Sequence, residues 1–236
     1  MEVALKVDNL NFSFSDDEVQ NEILNDVSLE IYKGEIVGIL GHNGAGKTTL
    51  LNCMTNIYTD FDSGSVTITN DLKIGYVPTE MYIYNLLTPE EFLLFIGRLN
   101  NIKHKALKQN ILKYLKEFDM YDMKDEYIKK LSFGTKHKLS LIAGIIPNPD
   151  ILVLDEPMTG YDAKSTYKTK QFLKNLSSKN GISIVMSSHR LDIVQDLCSR
   201  IIVLDKGKVL YQGDIKNLIK DYSDNSLETV LLSITK

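Results

Sequence analysis

Nine consecutive residues, Gly41-His-Asn-Gly-Ala-Gly-Lys-Thr-Thr49, satisfy the spacing G-x-x-x-x-G-K-[ST], and these residue types in this order suit the grip of a polyphosphate. Glycines let a loop wind back so that successive backbone N–H groups point inward at phosphate oxygens. A helix beginning near Lys47 adds its N-terminal partial positive charge. Lys47 is placed to neutralise the β- and γ-phosphates, and Thr48 to give a hydroxyl to Mg2+, the hard cation that accompanies a triphosphate. Gly41, His42, Asn43, Gly44, Ala45, Gly46, Lys47, Thr48 and Thr49 are all expected to contact the nucleotide.

A second constellation is Ile151-Leu-Val-Leu-Asp155-Glu156-Pro157, an apolar strand that delivers two adjacent carboxylates at its carboxyl end. Ligand sites lie at that end in open α/β sheets. Asp155 is expected to hold Mg2+ through water. Glu156, pointing to the other side, is expected to orient or deprotonate an attacking water. The guanine-reading sequence Asn-Lys-x-Asp does not occur.

The elements that must position these groups follow from hydrophobic periodicity. Residues 1 to 40 alternate or run apolar in short stretches, as in Glu35-Ile-Val-Gly-Ile-Leu40, with turn signals at Asp16-Asp17-Glu18 and Lys33-Gly34; the expectation is short strands. Leu50, Leu51 and Met54 fit one face of a helix that follows the glycine-rich turn. Between about 80 and 146 the pattern becomes helical. Thr88-Pro89-Glu90-Glu91 offers an N-cap, a proline at the first helical position and a capping-box glutamate, followed by Phe92, Phe95, Ile96 and Leu99. From Ile151 onward strands and helices alternate: Ile151–Leu154, a helix from about Asp162 to Ser178 closed by Gly181, Ile182–Val185, a short helix over 190–198, then Ile201–Leu204. This is α/β alternation with a parallel sheet. Asp205-Lys-Gly-Lys208 reads as a tight turn that adds some antiparallel pairing.

Composition bounds the class. The chain has 236 residues, 43% hydrophobic and 25% charged, so a sizeable core is available. With 27 basic and 31 acidic side chains the net charge is −4, which gives no general pull toward nucleic acid. The longest nearly unbroken apolar run, Leu139–Ile146, is far short of the roughly 20 residues that span a bilayer. Met1-Glu-Val-Ala-Leu-Lys shows no secretory pattern. Cys53 and Cys198 lack any metal or disulfide spacing and read as buried structural thiols. His104 sits in a lysine-rich stretch that reads as a solvated face.

Further motifs narrow the choice among nucleotide hydrolases. Leu131-Ser132-Phe133-Gly134-Thr135-Lys136 opens an apolar-periodic helix before Asp155 and resembles the signature motif of ABC-type ATPases. The resemblance covers nearly the whole chain: Tyr76-Val77-Pro78 looks like the Gln-loop, Gly160-Tyr161-Asp162 like the D-loop, and His189 like the switch histidine. Asn9-Leu-Asn-Phe-Ser-Phe14 and Ser226-Leu-Glu-Thr-Val-Leu-Leu232 also look like family features. The resemblance implies a P-loop NTPase core with a mostly parallel sheet, an N-terminal antiparallel β subdomain and an inserted helical subdomain, with the core over about 1–79 and 147–236 and the helical part over about 80–146. It implies ATP and Mg2+ as ligands, a second ATP-binding subunit (homodimer or heterodimer) arranged head to tail, and transmembrane permease subunits as partners. The location implied is cytoplasmic, on the inner face of the cell membrane.

Residue by residue, the resemblance has Ser132 and Gly134 grip the γ-phosphate bound to another subunit. A hydroxyl, a bare backbone and a positive helix end do make an anion site. His189 is then a donor to a γ-phosphate oxygen, Asp162 a nucleotide-side residue, and Phe14 the aromatic that stacks on adenine, with Phe12 its rival and ordinary core packing the other reading of either ring. The run from Thr79 to Leu99, the Leu-Ser-Phe-Gly variant and the short tail look like the branch that serves bacterial exporters. Met81-Tyr-Ile-Tyr84 with Leu86-Leu87 is apolar for a loop and reads either as a docking surface or as local core. Alternatives are an ABC ATPase acting on ribosomes or DNA, and a weakly hydrolysing regulatory module.

The sequence departs from the family pattern in places. Thr79 stands where a glutamine that helps hold Mg2+ is usual, followed by Glu80; Phe133 replaces the commonest glycine and Lys136 the commonest glutamine. Thr79 is nonetheless expected on the metal side. His137 takes no role in this reading.

Overall fold

The computed structural model describes residues 2–16, 19–221 and 226–234. In chain order the elements are β1 (Val3–Asp16), β2 (Val19–Tyr32), β3 (Ile36–Leu40), α1 (Lys47–Met54), β4 (Ser63–Ile68), β5 (Ile74–Val77), α2 (Pro89–Leu99), α3 (His104–Glu117) and α4 (Phe133–Ile145). There follow β6 (Ile151–Asp155), α5 (Ala163–Asn180), β7 (Ser183–Ser187), α6 (Leu191–Leu197), β8 (Arg200–Asp205), β9 (Lys208–Asp214), α7 (Ile215–Asp221) and α8 (Leu227–Ile234).

Two sheets form. One is antiparallel, ordered β2-β1-β4; the other has six strands ordered β5-β6-β7-β3-β8-β9 and is parallel except for β9. The expected short strands before residue 33 are instead two long ones of 14 residues each. Asn9 at φ 46° sits where the β1–β2 register shifts between Val7 and Leu10, and Asp26 at φ 52° where it shifts again between Leu10 and Phe12. Their side chains bond to each other, Asn9 Nδ2 to Asp26 Oδ1 at 2.7 Å. A bulge interrupts the alternation without ending the strand, which is why the pattern reads as two pieces. Of the turn expected at Asp16-Asp17-Glu18, Asp16 ends β1, and Asp17 and Glu18 lie outside the described residues. The turn expected at Asp205–Lys208 is present, with Lys206 at φ 45° and Gly207 at φ 75°, the pair of positive values a two-residue hairpin favours.

The large sheet is covered on both faces, so its strands are continuous apolar runs. Every residue of β3, β6 and β7 is buried. Ile36, Leu40, Leu154 and Met186 pack with the helices α2 to α6, whereas Val37, Ile39, Val153 and Val185 pack with α1 and the β1–β2 ribbon. Fully burying one such side chain contributes about 1.5–3 kcal/mol, and this two-sided packing holds rigid the strand ends that carry the chemistry. Cys53 and Cys198 are buried in these cores, and burial pushes both thiols up to about 12.

The α2 start is as expected: Thr88 Oγ1 accepts from the Glu91 amide at 3.2 Å, and Glu91 Oε2 accepts from the Thr88 amide at 2.9 Å. Its inward face differs. Phe92, Leu93 and Gly97 are buried, while Phe95 and Leu99 remain 39% and 64% exposed. The cause is α3, which approaches so closely that a Cβ on Gly97 would lie 2.2 Å from Leu107 Cδ1. His104 is exposed at the start of α3. Among the described residues, no helix is long and apolar enough to cross a membrane.

Candidate active site

The phosphate loop leaves β3 at Gly41 and enters α1 at Lys47. A Cβ on Gly41 would stand 2.3 Å from the Leu204 carbonyl oxygen, so only glycine lets the loop depart against β8. Gly46, at φ 100°, caps α1 with no side-chain hydrogen bond, and the first turn carries no acidic residue. The helix's first N–H groups therefore remain for an anion. Of the nine expected loop residues, Asn43, Gly44, Gly46, Lys47, Thr48 and Thr49 line a cleft of about 380 Å3.

Lys47 is 9% exposed and curls over its own loop, Nζ donating to the carbonyls of Gly41 (2.8 Å) and His42 (3.0 Å). Burial lowers its pKa against the opposing pull of Glu156 and Asp155. The His42 ring is engaged elsewhere, its Nε2 2.7 Å from Asp205 Oδ1 and its Nδ1 2.6 Å from the Asn43 carbonyl oxygen. Gly41, His42 and Ala45 thus shape the loop and do not line the cleft.

Thr79, Asp155 and Glu156 lie on the same cleft. The two adjacent carboxylates diverge. Asp155, 2% exposed, accepts at Oδ2 from Thr48 Oγ1 at 2.7 Å. Glu156 sits at φ 52°, past the end of the strand, and its Oε2 lies 2.9 Å from His189 Nδ1. The Thr79 hydroxyl donates to the Asp155 carbonyl oxygen at 3.2 Å, so Thr79 braces the end of β6. A hydroxyl and a carboxylate oxygen converging beside a phosphate loop suit magnesium, which takes few protein ligands and completes its shell with phosphate and water.

Phe14, the aromatic expected to stack on adenine, is not among the residues lining the cleft, to which the β1–β2 ribbon contributes Ile23. Phe14 is 42% exposed and stands edge-on to Phe12 at 5.1 Å and to Tyr58 at 5.6 Å. Phe12 is 5% exposed and stacks on Tyr58.

Ser132 caps α4, its Oγ accepting from the Thr135 amide at 3.2 Å. Gly134 packs on the loop before α5, where a Cβ would meet the Gly160 carbonyl oxygen at 2.6 Å. Asp162 caps α5, and the Ser165 amide bonded to it at 2.6 Å holds its carboxyl below the usual range. None of these three lines the phosphate cleft of its own chain. Two polar residues at the site lacked a sequence signal. Asp205 faces the His42 ring, and Ser187, fully buried, bonds to both Asp155 and Glu156.

A parallel sheet carrying a strand–glycine loop–helix unit, with a carboxylate from a neighbouring strand on the loop's hydroxyl, defines a P-loop nucleotide-binding protein. Residues 24–159 match the family model described as ABC transporter. The chain is 35% identical over 230 residues to the uncharacterized ABC transporter ATP-binding protein MJ1023 of Methanocaldococcus jannaschii, covering 95% of this chain and 85% of that one. It is 32% identical to the ABC transporter ATP-binding protein NatA of Bacillus subtilis, covering 93% of each. Among solved structures, the dimeric post-hydrolysis state of the ATP-binding cassette MJ0796 with ADP and Pi superposes with a TM-score of 0.81 at 26% identity, covering 89% of this chain and 98% of that one. The chain belongs to the ABC transporter family, as an ATP-binding subunit with ATPase activity.

Proposed function

We propose that this subunit drives export through separate membrane subunits, closing head to tail with a second ATP-binding subunit around two ATP molecules. The observation that carries the dimer is a split site: Lys47, Thr48, Asp155 and Glu156 share one cleft, while Ser132 and Gly134 lie outside it. A partner's signature helix would complete the cleft, and the cassette MJ0796 is itself dimeric. The export direction rests on the exporter-like signature variant and the Thr79–Leu99 run.

In this reading the loop amides and Lys47 bind the triphosphate. Thr48 and Asp155 hold Mg2+, which supplies charge neutralisation when bound. Glu156 accepts a proton from the attacking water, and His189 orients that carboxylate while presenting Nε2 toward the γ-phosphate. Residues of about 80–146 act as the helical arm that passes motion to the membrane subunits at the inner membrane face. Its docking surface includes Tyr82, Tyr84 and Leu86, which are 77%, 58% and 71% exposed. Apolar exposure of this kind marks an interaction site. The charge balance gives no support to a nucleic-acid partner.

The test uses Glu156→Gln with the membrane protein that co-purifies from native membranes. ATP should shift the variant to a dimer in light scattering while turnover is lost. The wild-type complex should drive outward transport. A variant that stays monomeric at saturating ATP overturns the homodimer. Wild-type binding of Mg-ATP without turnover in the complex means a regulatory module instead.

A further inference from the structure

Strands β6 and β7 run parallel with Asp155 paired directly beside Ser187. Ser187 closes an otherwise apolar stretch of β7, is 0% exposed, and stands two residues before His189. Its single hydroxyl bridges both carboxylate-bearing residues. Oγ donates to Asp155 Oδ1 and accepts from the Glu156 amide at 3.0 Å. A hydroxyl has one proton to give and two lone pairs to receive, so both bonds form at once.

Each bond constrains a different part of the site. With Oδ1 held by Ser187, rotation of the Asp155 carboxylate is blocked and Oδ2 stays aimed at Thr48, 2.7 Å away. The second bond grips the peptide entering Glu156, whose φ of 52° is unusual for a residue with a side chain. Such a backbone persists only where its surroundings over-determine it. The bond to Ser187, and that from Thr159 Oγ1 to the Glu156 carbonyl oxygen at 3.0 Å, brace it from either side. From that fixed backbone the Glu156 side chain reaches His189.

We propose that Ser187 is a positioning residue for ATP hydrolysis, one buried hydroxyl that sets the metal-side oxygen of Asp155 and the backbone turn of Glu156 together. The proposal rests on the roles given to Asp155 and Glu156 above. A core serine that only fills space would be replaced by alanine at little functional cost.

The test compares Ser187→Ala, Ser187→Thr, Asp155→Asn and Glu156→Gln in the full chain with its membrane partner. Two readouts are taken: ATP binding by calorimetry, in EDTA and across a Mg2+ titration, and steady-state turnover. Ser187→Ala should bind ATP in EDTA like the wild type, need more Mg2+ for its tight-binding form, and lose about 10- to 100-fold in kcat, the usual scale for residues that orient a ligand. Ser187→Thr, which restores the hydroxyl, should recover most of both. Unchanged Mg2+ dependence and kcat in Ser187→Ala overturn the proposal, whether or not its melting temperature falls, and whether or not the bulkier threonine folds. If Asp155→Asn and Glu156→Gln also keep full turnover, the underlying reading fails. If those two are inactive while Ser187→Ala is not, only the positioning role does.

Discussion

His189 Nδ1 lies 2.9 Å from Glu156 Oε2, on a histidine that is 64% exposed and a glutamate that is 18% exposed. The two side chains form one unit at the edge of the phosphate cleft, so their losses should not add. A general base typically contributes about 10²- to 10⁴-fold. Glu156→Gln and His189→Ala should each lower turnover by a large part of that, and the double variant should be little worse than the more damaged single one. Steady-state ATPase assays at saturating Mg-ATP measure this; additive losses would mean that the two act independently.

Phe14 and Phe12 part company on burial. Phe14 is 42% exposed and makes only edge contacts to Phe12 and Tyr58, while Phe12 is 5% exposed and stacked on Tyr58. Stacking of a base on an aromatic ring contributes about 1–3 kcal/mol, so Phe14→Ala should weaken ATP binding by roughly 5- to 150-fold with little change in stability. Phe12→Ala should instead cost about 3–5 kcal/mol of stability, as large-to-small core changes do. Calorimetric ATP titration and denaturant unfolding separate the two. Reversed results would make Phe12 the platform.

The signature helix tolerates no side chain where it meets the loop before α5. A Cβ on Gly134 would come within 2.6 Å of the Gly160 carbonyl oxygen, and Gly160 itself sits at φ 75°. Gly134→Ala should therefore move the start of α4 and cost about 1–3 kcal/mol, as overpacking does. Turnover should fall further than stability, because Ser132 moves with the helix. Thermal unfolding and ATPase assays on the same preparation check both.

What was legible in the sequence is what local chemistry encodes. Glycines at Gly41 and Gly46, the Thr88–Glu91 capping box and the left-handed Gly181 that ends α5 each fix backbone within a few residues, and each element begins or ends where they indicate. The β1–β2 ribbon was not, because left-handed Asn9 and Asp26 break the alternation inside strands that continue. Nor was Ser187, since only the pairing of β6 with β7, which no local pattern specifies, sets it beside Asp155. The same holds for Asp205: it reads as a turn residue, and its contact with His42 spans most of the chain.

His137 makes acid stability a test of the signature helix. The ring is 1% exposed, lies edge-on to Phe133 at 4.6 Å, and has no hydrogen-bond partner at Nε2. Burial lowers its pKa from the ordinary 6.5. The folded chain therefore resists a proton that the unfolded chain accepts near pH 6.5. As pH falls below that value the unfolded state binds more protons, and this residue's contribution to stability declines until the lowered folded pKa is passed. Well above pH 6.5 the ring is neutral in both states and contributes no slope. His137→Leu removes the titration and also the unsatisfied nitrogen, whose burial costs about 1–3 kcal/mol. The variant should be at least as stable as the wild type at pH 7.5, with its advantage growing between pH 6.5 and 5.5. Urea unfolding at the two ends of that range measures the difference, and other titrating groups cancel in the comparison. An advantage that does not change with pH would mean that the His137 ring takes up its proton as readily in the folded chain as in the unfolded one.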